Sequence, residues 1–192
     1  PVLIGHSMGC AVIERFLERD SALAAVLMAP VPPTGTLGSV MRLALRHPEM
    51  FSEITRLSHQ GTLSPTSLAL MRDIYFSPVT QPAELLDFAH LIQPESERAI
   101  ADMLTIGLRY HRPQPEIPVL VIGGEQDSLF PPSTISFTAL RWRAQHTRIP
   151  DCGHMLMLEH QWRAVADALS HWLETAGCRR RPTASSGSVV TV

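Results

Sequence analysis

Three residues of this 192-residue chain have the type and setting for nucleophilic catalysis: Ser7, Asp127 and His154. A serine hydroxyl is a weak nucleophile near neutral pH. It attacks a carbonyl only when a base takes its proton, and the base needs an acid to orient it and stabilise its cation. Ser7 is the centre of Gly5-His6-Ser7-Met8-Gly9, a Gly-x-Ser-x-Gly run. The run follows the apolar stretch Pro1–Ile4 and precedes a helix-periodic one, which makes it a strand-to-helix turn. So sharp a turn strains the serine backbone, and Gly5 and Gly9 are expected to let strand and helix approach without Cβ clashes. The hydroxyl then stands at a helix N-terminus, where first-turn N–H groups, that of Met8 in particular, face a developing oxyanion. The same pentapeptide occurs by chance in loops; its place between strand and helix is what gives it weight.

The acid is sought past a strand end, because ligand sites in parallel sheets lie at the strand carboxyl ends. Val119–Gly124 reads as such a strand and Glu125-Gln126-Asp127 follows it. Asp127 is the first choice and Glu125, nearer the strand, the runner-up. His154 comes 27 residues after Asp127, in a loop between a short strand and the last helix. Of the nine histidines only His154 and His6 sit beside a strand end. His6 lies inside the turn, with its ring expected to point away from the base position and to pack or hydrogen-bond nearby. Asp151, three residues before His154, reads as structural. Cys10 and Cys152 lie near the presumed site and read as small buried hydrophobes.

These side chains need a sheet to hold them. Pro1–Ile4, Ala22–Ala29, Ile117–Ile122 and His146–Ile149 read as strands. Met8–Arg19 reads as a helix with an apolar stripe of Cys10, Ile13, Phe16 and Leu17, and Ser133–Arg143 as a weaker one. The clearest is Leu156–Leu173, where Leu158, Trp162, Val165, Leu169 and Trp172 share one face. Between the second and third strands the chain turns helical, with helices expected at Leu37–Arg46, Thr66–Phe76, Pro82–Leu91 and Glu95–Tyr110. Alternating strands and helices imply an α/β fold with a parallel sheet. The expected organisation is core at residues 1–34, a helical cap at 35–112, core again at 113–176, and a disordered tail at 177–192.

Composition removes several alternatives. All 16 basic residues are Arg; the absence of Lys excludes Schiff-base chemistry and a phosphate-binding lysine. Asn is absent too, so no Asn orients a Cys/His site. A net charge of −2 gives no basic field for nucleic acid, and the basic triplet Arg179–Arg181 reads as part of a solvated tail. Three dispersed cysteines, Cys10, Cys152 and Cys178, form neither a disulfide framework nor a zinc site, and favour a reducing, cytoplasmic setting. No run of about 18 apolar residues suggests a transmembrane segment. No cofactor or metal is expected, and oligomeric state is left open.

Together, Gly5–Gly9, Pro118–Asp127 and Gly153-His154-Met155-Leu156 resemble the α/β-hydrolase superfamily, in particular serine hydrolases of the esterase, lysophospholipase or monoacylglycerol-lipase type. The resemblance covers about residues 1–175. It implies a Ser7-His154-Asp127 triad, Met8 as an oxyanion donor, a lipid or small acyl ester as substrate, and a cap whose apolar side chains (Met41, Leu45, Phe51, Ile54, Leu57, Met71, Ile74, Phe76, Phe88 and Leu91) line an acyl pocket or form the cap's own core. It also implies that the nucleophile strand is preceded by other strands and by a loop giving a second oxyanion N–H. The expectation is therefore a partial fold, the C-terminal portion of a longer hydrolase. Loss of one oxyanion donor lowers rate roughly 10²–10³-fold, so weak activity is expected of this portion alone. The alternatives are an inactive fragment or binding scaffold, or related chemistry (thioester hydrolysis, perhydrolysis, acyl transfer) on the same machinery.

Overall fold

The computed structural model describes residues 1–60, 64–91, 96–108 and 115–176. The expected tail with Cys178 and Arg179–Arg181 lies outside them, as do residues 109–114. Strands β1 (Val2–His6), β2 (Ala24–Met28), β3 (Val119–Gly124) and β4 (Gln145–Ile149) form one sheet in sequence order. Every pairing is parallel, with Val2 opposite Ala24, Ala25 opposite Val119 and Leu120 opposite Gln145.

The two central strands explain the fold. β2 and β3 are buried along their whole length, as near-continuous apolar runs covered on both faces should be. Successive side chains alternate between the faces. Ala25, Leu27, Val119 and Val121 join Cys10, Ile13 and Leu17 of helix α1 (Met8–Leu17) and Ile135, Ala139 and Trp142 of helix α7 (Pro132–Trp142). Ala24, Val26, Met28, Leu120 and Ile122 join Leu156 and, from helix α8 (Trp162–Thr175), Val165 and Trp172. Each fully buried Val, Leu or Ile here contributes roughly 1.5–3 kcal/mol over leaving it exposed.

Between β2 and β3 the described chain is helical: α2 (Leu37–Arg46), α3 (Met50–Gln60), α4 (Pro65–Tyr75), α5 (Pro82–Leu91) and α6 (Glu97–Thr105), the last running into a 3-10 turn. This insert leaves from the carboxyl end of β2, the sheet edge on which Ser7 and Asp127 also lie. It has a small core of Leu43, Met50, Leu70 and Ile74.

Several expectations change. Helix α3 was not anticipated. Its Ser52 and Thr55 hydroxyls donate to Glu49 O and Phe51 O, which weakens its helical signal. The last helix begins at Trp162 rather than Leu156. Residues 156–161 form turns and a bend, and Glu159 points inward to take buried hydrogen bonds instead of lying on a helix face. Leu158 and Trp162 are exposed accordingly, as is Phe16 of the expected α1 stripe. Of the apolar insert residues, Met71, Ile74 and Phe76 are buried, whereas Met41, Leu45, Phe51, Ile54 and Leu91 are exposed; the Leu57 side chain lies outside the described set.

Candidate active site

Ser7 sits between β1 and α1 with φ 51° and ψ −116°, a conformation L-residues rarely adopt. The surroundings impose it. The Ser7 N–H donates to Met28 O at 2.9 Å, which pins the turn to the end of β2. A Cβ on Gly5 would lie 2.7 Å from the Gly9 carbonyl, so only glycine fits there. The equivalent argument fails for Gly9, where an added Cβ meets nothing within 4 Å. The Ser7 side chain does not cap α1. Its Oγ lies 3.0 Å from His154 Nε2 instead.

His154 Nδ1 is 2.9 Å from Asp127 Oδ2, and Asp127 Oδ1 accepts the Phe130 N–H at 2.7 Å. A carboxylate accepts, so this contact assigns the proton to Nδ1 and leaves Nε2 to accept from the Ser7 hydroxyl. Asp127 and His154 are 3% and 1% exposed, so their interaction is little screened by water. Glu125 is exposed and outside this contact; its N–H donates to Ile149 O. Asp151 is also exposed and accepts from Gln126 Nε2 at 3.1 Å. Met8 opens α1, where first-turn N–H groups have no intrahelical acceptor.

His6 does not point away from His154, the expected base. Its ring centroid lies 5.0 Å from that of His154, and its Nε2–H donates to His154 O at 2.9 Å. Burial, helped by the neighbouring His154, pushes the His6 imidazole down to about 4. The Cys10 thiol donates to Gly5 O and is pushed up by burial; that of Cys152 is pushed up to about 12 by burial and by Glu159 and Asp127. Burial thus keeps both as thiols at neutral pH.

Two further residues fix the His154 loop, and the sequence reading did not single them out. Tyr75 O, at the end of α4, accepts the N–H groups of both His154 and Met155, at 2.9 and 3.0 Å. Glu159 Oε1 accepts the Gly153 N–H at 2.6 Å. The available signal for Glu159 was a lone carboxyl beyond the apolar run Met155–Leu158. Among the described residues no group of three or more His, Cys, Asp or Glu could hold a metal ion, and no helix is long and apolar enough to cross a membrane.

No curated protein matches the chain in sequence. Among solved structures it is similar to an esterase from Exiguobacterium antarcticum (TM-score 0.65, 17% identity, 89% of this chain and 66% of that one). It is similar also to a thermophilic esterase from Thermogutta terrifontis (0.64, 21%, 91% and 65%) and a bromoperoxidase from Bacillus anthracis (0.62, 17%, 90% and 67%). The chain thus spans about two thirds of the length of these structures, and likenesses at this identity show the fold. The model of the alpha/beta hydrolase family matches residues 1–168, and the chain belongs to that family.

Proposed function

We propose that the chain bears the catalytic residues of a serine hydrolase acting on carboxylic esters, with Ser7, His154 and Asp127 as its triad and Met8 N–H as an oxyanion donor. The observation that supports this best is the unbroken path from Ser7 Oγ through His154 to Asp127, with contacts of 3.0 and 2.9 Å. Ser7 Oγ attacks the acyl carbon as His154 Nε2 takes the hydroxyl proton. The carbonyl π pair moves to oxygen, where the Met8 N–H donates to it. Collapse breaks the ester C–O bond, and His154 returns its proton to the departing alkoxide. Water then attacks the acyl-serine, giving its proton to His154, and the acid leaves as Ser7 recovers its hydrogen. Asp127 orients the ring and stabilises its cation throughout. In this reading α2–α6 are the cap over the site, and the substrate is a small acyl or lipid ester.

A fluorophosphonate probe and short-chain nitrophenyl esters test it. Labelling at Ser7 and ester turnover are expected in the wild-type chain, with turnover falling about 10⁴-fold or more in Ser7→Ala. Labelling that persists in Ser7→Ala, or none in the wild type, overturns the proposal.

A further inference from the structure

Glu159 is 1% exposed and splits its carboxyl between two segments far apart in sequence. Oε1 accepts the Gly153 N–H at 2.6 Å, next to the base. Oε2 accepts the Ser77 N–H at 3.2 Å and the Thr80 hydroxyl at 3.4 Å, in the α4–α5 junction of the helical insert. Ser77 and Thr80 are themselves buried, and their hydroxyls lie 3.3 Å apart. The two backbones touch: a Cβ on Gly153 would come within 2.7 Å of the Phe76 carbonyl carbon and 2.9 Å of Ser77 N. Tyr75 O closes the same seam through His154 N–H and Met155 N–H.

We propose that Glu159 is a positioning residue that locks the base loop to the α4–α5 junction, so that His154 and the insert hold one relative position. The inference rests on the serine-hydrolase reading for its kinetic consequence only. An apolar side chain would fill this space without the desolvation that a carboxyl suffers. What the carboxyl adds is two acceptor oxygens, one for each segment. Glu159 touches no reacting atom; it acts through Gly153, one residue from the base. Contacts that a substrate makes with the α4–α5 junction are thereby transmitted to the Ser7–His154 geometry. Small displacements there matter, because misplacing a catalytic group by about 1 Å lowers rate about 100-fold.

Glu159→Gln keeps the size and removes one acceptor, since an amide nitrogen cannot accept. Ester kinetics, normalised to folded protein, should show kcat lowered about 10- to 100-fold with KM changed by less than about 3-fold. Fluorophosphonate labelling of Ser7 should slow in parallel. Amide hydrogen exchange should accelerate in both segments, 75–80 and 153–155. Thr80→Val, which leaves the Gly153 contact intact, should shift all three readouts the same way by less. If Glu159→Gln does not fold, Thr80→Val decides: wild-type labelling and exchange in that variant overturn the proposal. So does a Glu159→Gln protein that loses thermal stability but reacts at the wild-type rate. An unlabelled wild-type chain sinks the hydrolase reading instead; exchange still reports the lock, and unchanged exchange at 153–155 in Glu159→Gln overturns it.

Discussion

Ser7 and His6 are adjacent in sequence and both engage His154, one through its ring and one through its backbone carbonyl. Ser7 and the His154 loop are thus tied at neighbouring residues, with His6 donating through an Nε2–H that the neutral ring already carries. In the unfolded chain the ring gains its proton near 6.5; in the folded chain it does so only at about 4. Between those values the unfolded state binds the extra proton. The contribution to stability is therefore complete above about pH 6.5, lost progressively as pH falls to 4, and up to about 3 kcal/mol in size. His6→Gln keeps an N–H for the His154 carbonyl and removes the titration. Urea midpoints measured from pH 7 to pH 4 should fall less steeply in this variant than in the wild type; parallel profiles would show that His6 is not the titrating group. His146, also lowered by burial, contributes with the same sign in both proteins, so the difference isolates His6. Asp127 and His154 could be read as candidates in the sequence because each follows a readable strand; in the structure His154 contacts both Ser7 and Asp127. The roles of His6 and Glu159 could not be read the same way. His6 meets its partner 148 residues away, and Glu159, besides nearby Gly153, reaches Ser77 82 residues away, separations that no local spacing encodes.

Strands β2 and β3 were legible because apolar runs bounded by Gly and Pro have few other uses. The helical insert was less so. Helix α3 presents Phe51 and Ile54 to solvent and meets α4 through Met50, which packs with Leu70 and Ile74, and through polar contacts. Glu53 accepts from Arg56 Nη2 at 2.9 Å, from Ser67 Oγ at 2.7 Å and from Ser64 Oγ at 2.8 Å. Ser64 is also the N-cap of α4, where it forms a capping box with Ser67. The Arg56 contact, then those of Ser67 and Ser64, hold the Glu53 carboxyl down at about 2. A carboxyl with a lowered folded value stabilises the fold above its unfolded value, near 4.5, and loses that contribution as pH falls toward 2. Protease cleavage within α3 and α4 should therefore rise between pH 4.5 and pH 2.5 in the wild type, measured with an acid-active protease. Glu53→Gln should show the raised cleavage already at pH 4.5. A cleavage rate that ignores both pH and the substitution would remove the Glu53 network as a link between the two helices. The start of α8 differs for a related reason: Leu158 and Trp162 continue the helical spacing of Val165 and Trp172, but Glu159 turns inward to the buried donors of Gly153 and Ser77, and the helix starts six residues later.

At the scale of the whole molecule, the site is assembled from the carboxyl ends of three strands, so its geometry depends on the sheet acting as one body. Ser7 follows β1, Asp127 follows β3 and His154 follows β4, while β2 ties the first two together: Met28 O accepts the Ser7 N–H and the Ala29 N–H donates to Ile122 O. Leu27, fully buried in β2, packs on the α1 and α7 face. Leu27→Ala should destabilise the chain by about 2–5 kcal/mol, the usual result of emptying a close-packed site. The two sheet faces have their own reporters. Trp142 of α7 lies on the Leu27 face and Trp172 of α8 on the opposite one, both 5% exposed. In single-reporter backgrounds, Trp142→Phe or Trp172→Phe with exposed Trp162→Phe in each, denaturation followed by fluorescence should show the Leu27→Ala shift equally from either face. Each strand sends alternate side chains to both layers, so a loss on one face removes the support of the other. A shift confined to the Trp142 reporter would mean that the layers unfold separately, and the strand ends that align Ser7, Asp127 and His154 would then have to be held by the loop contacts alone.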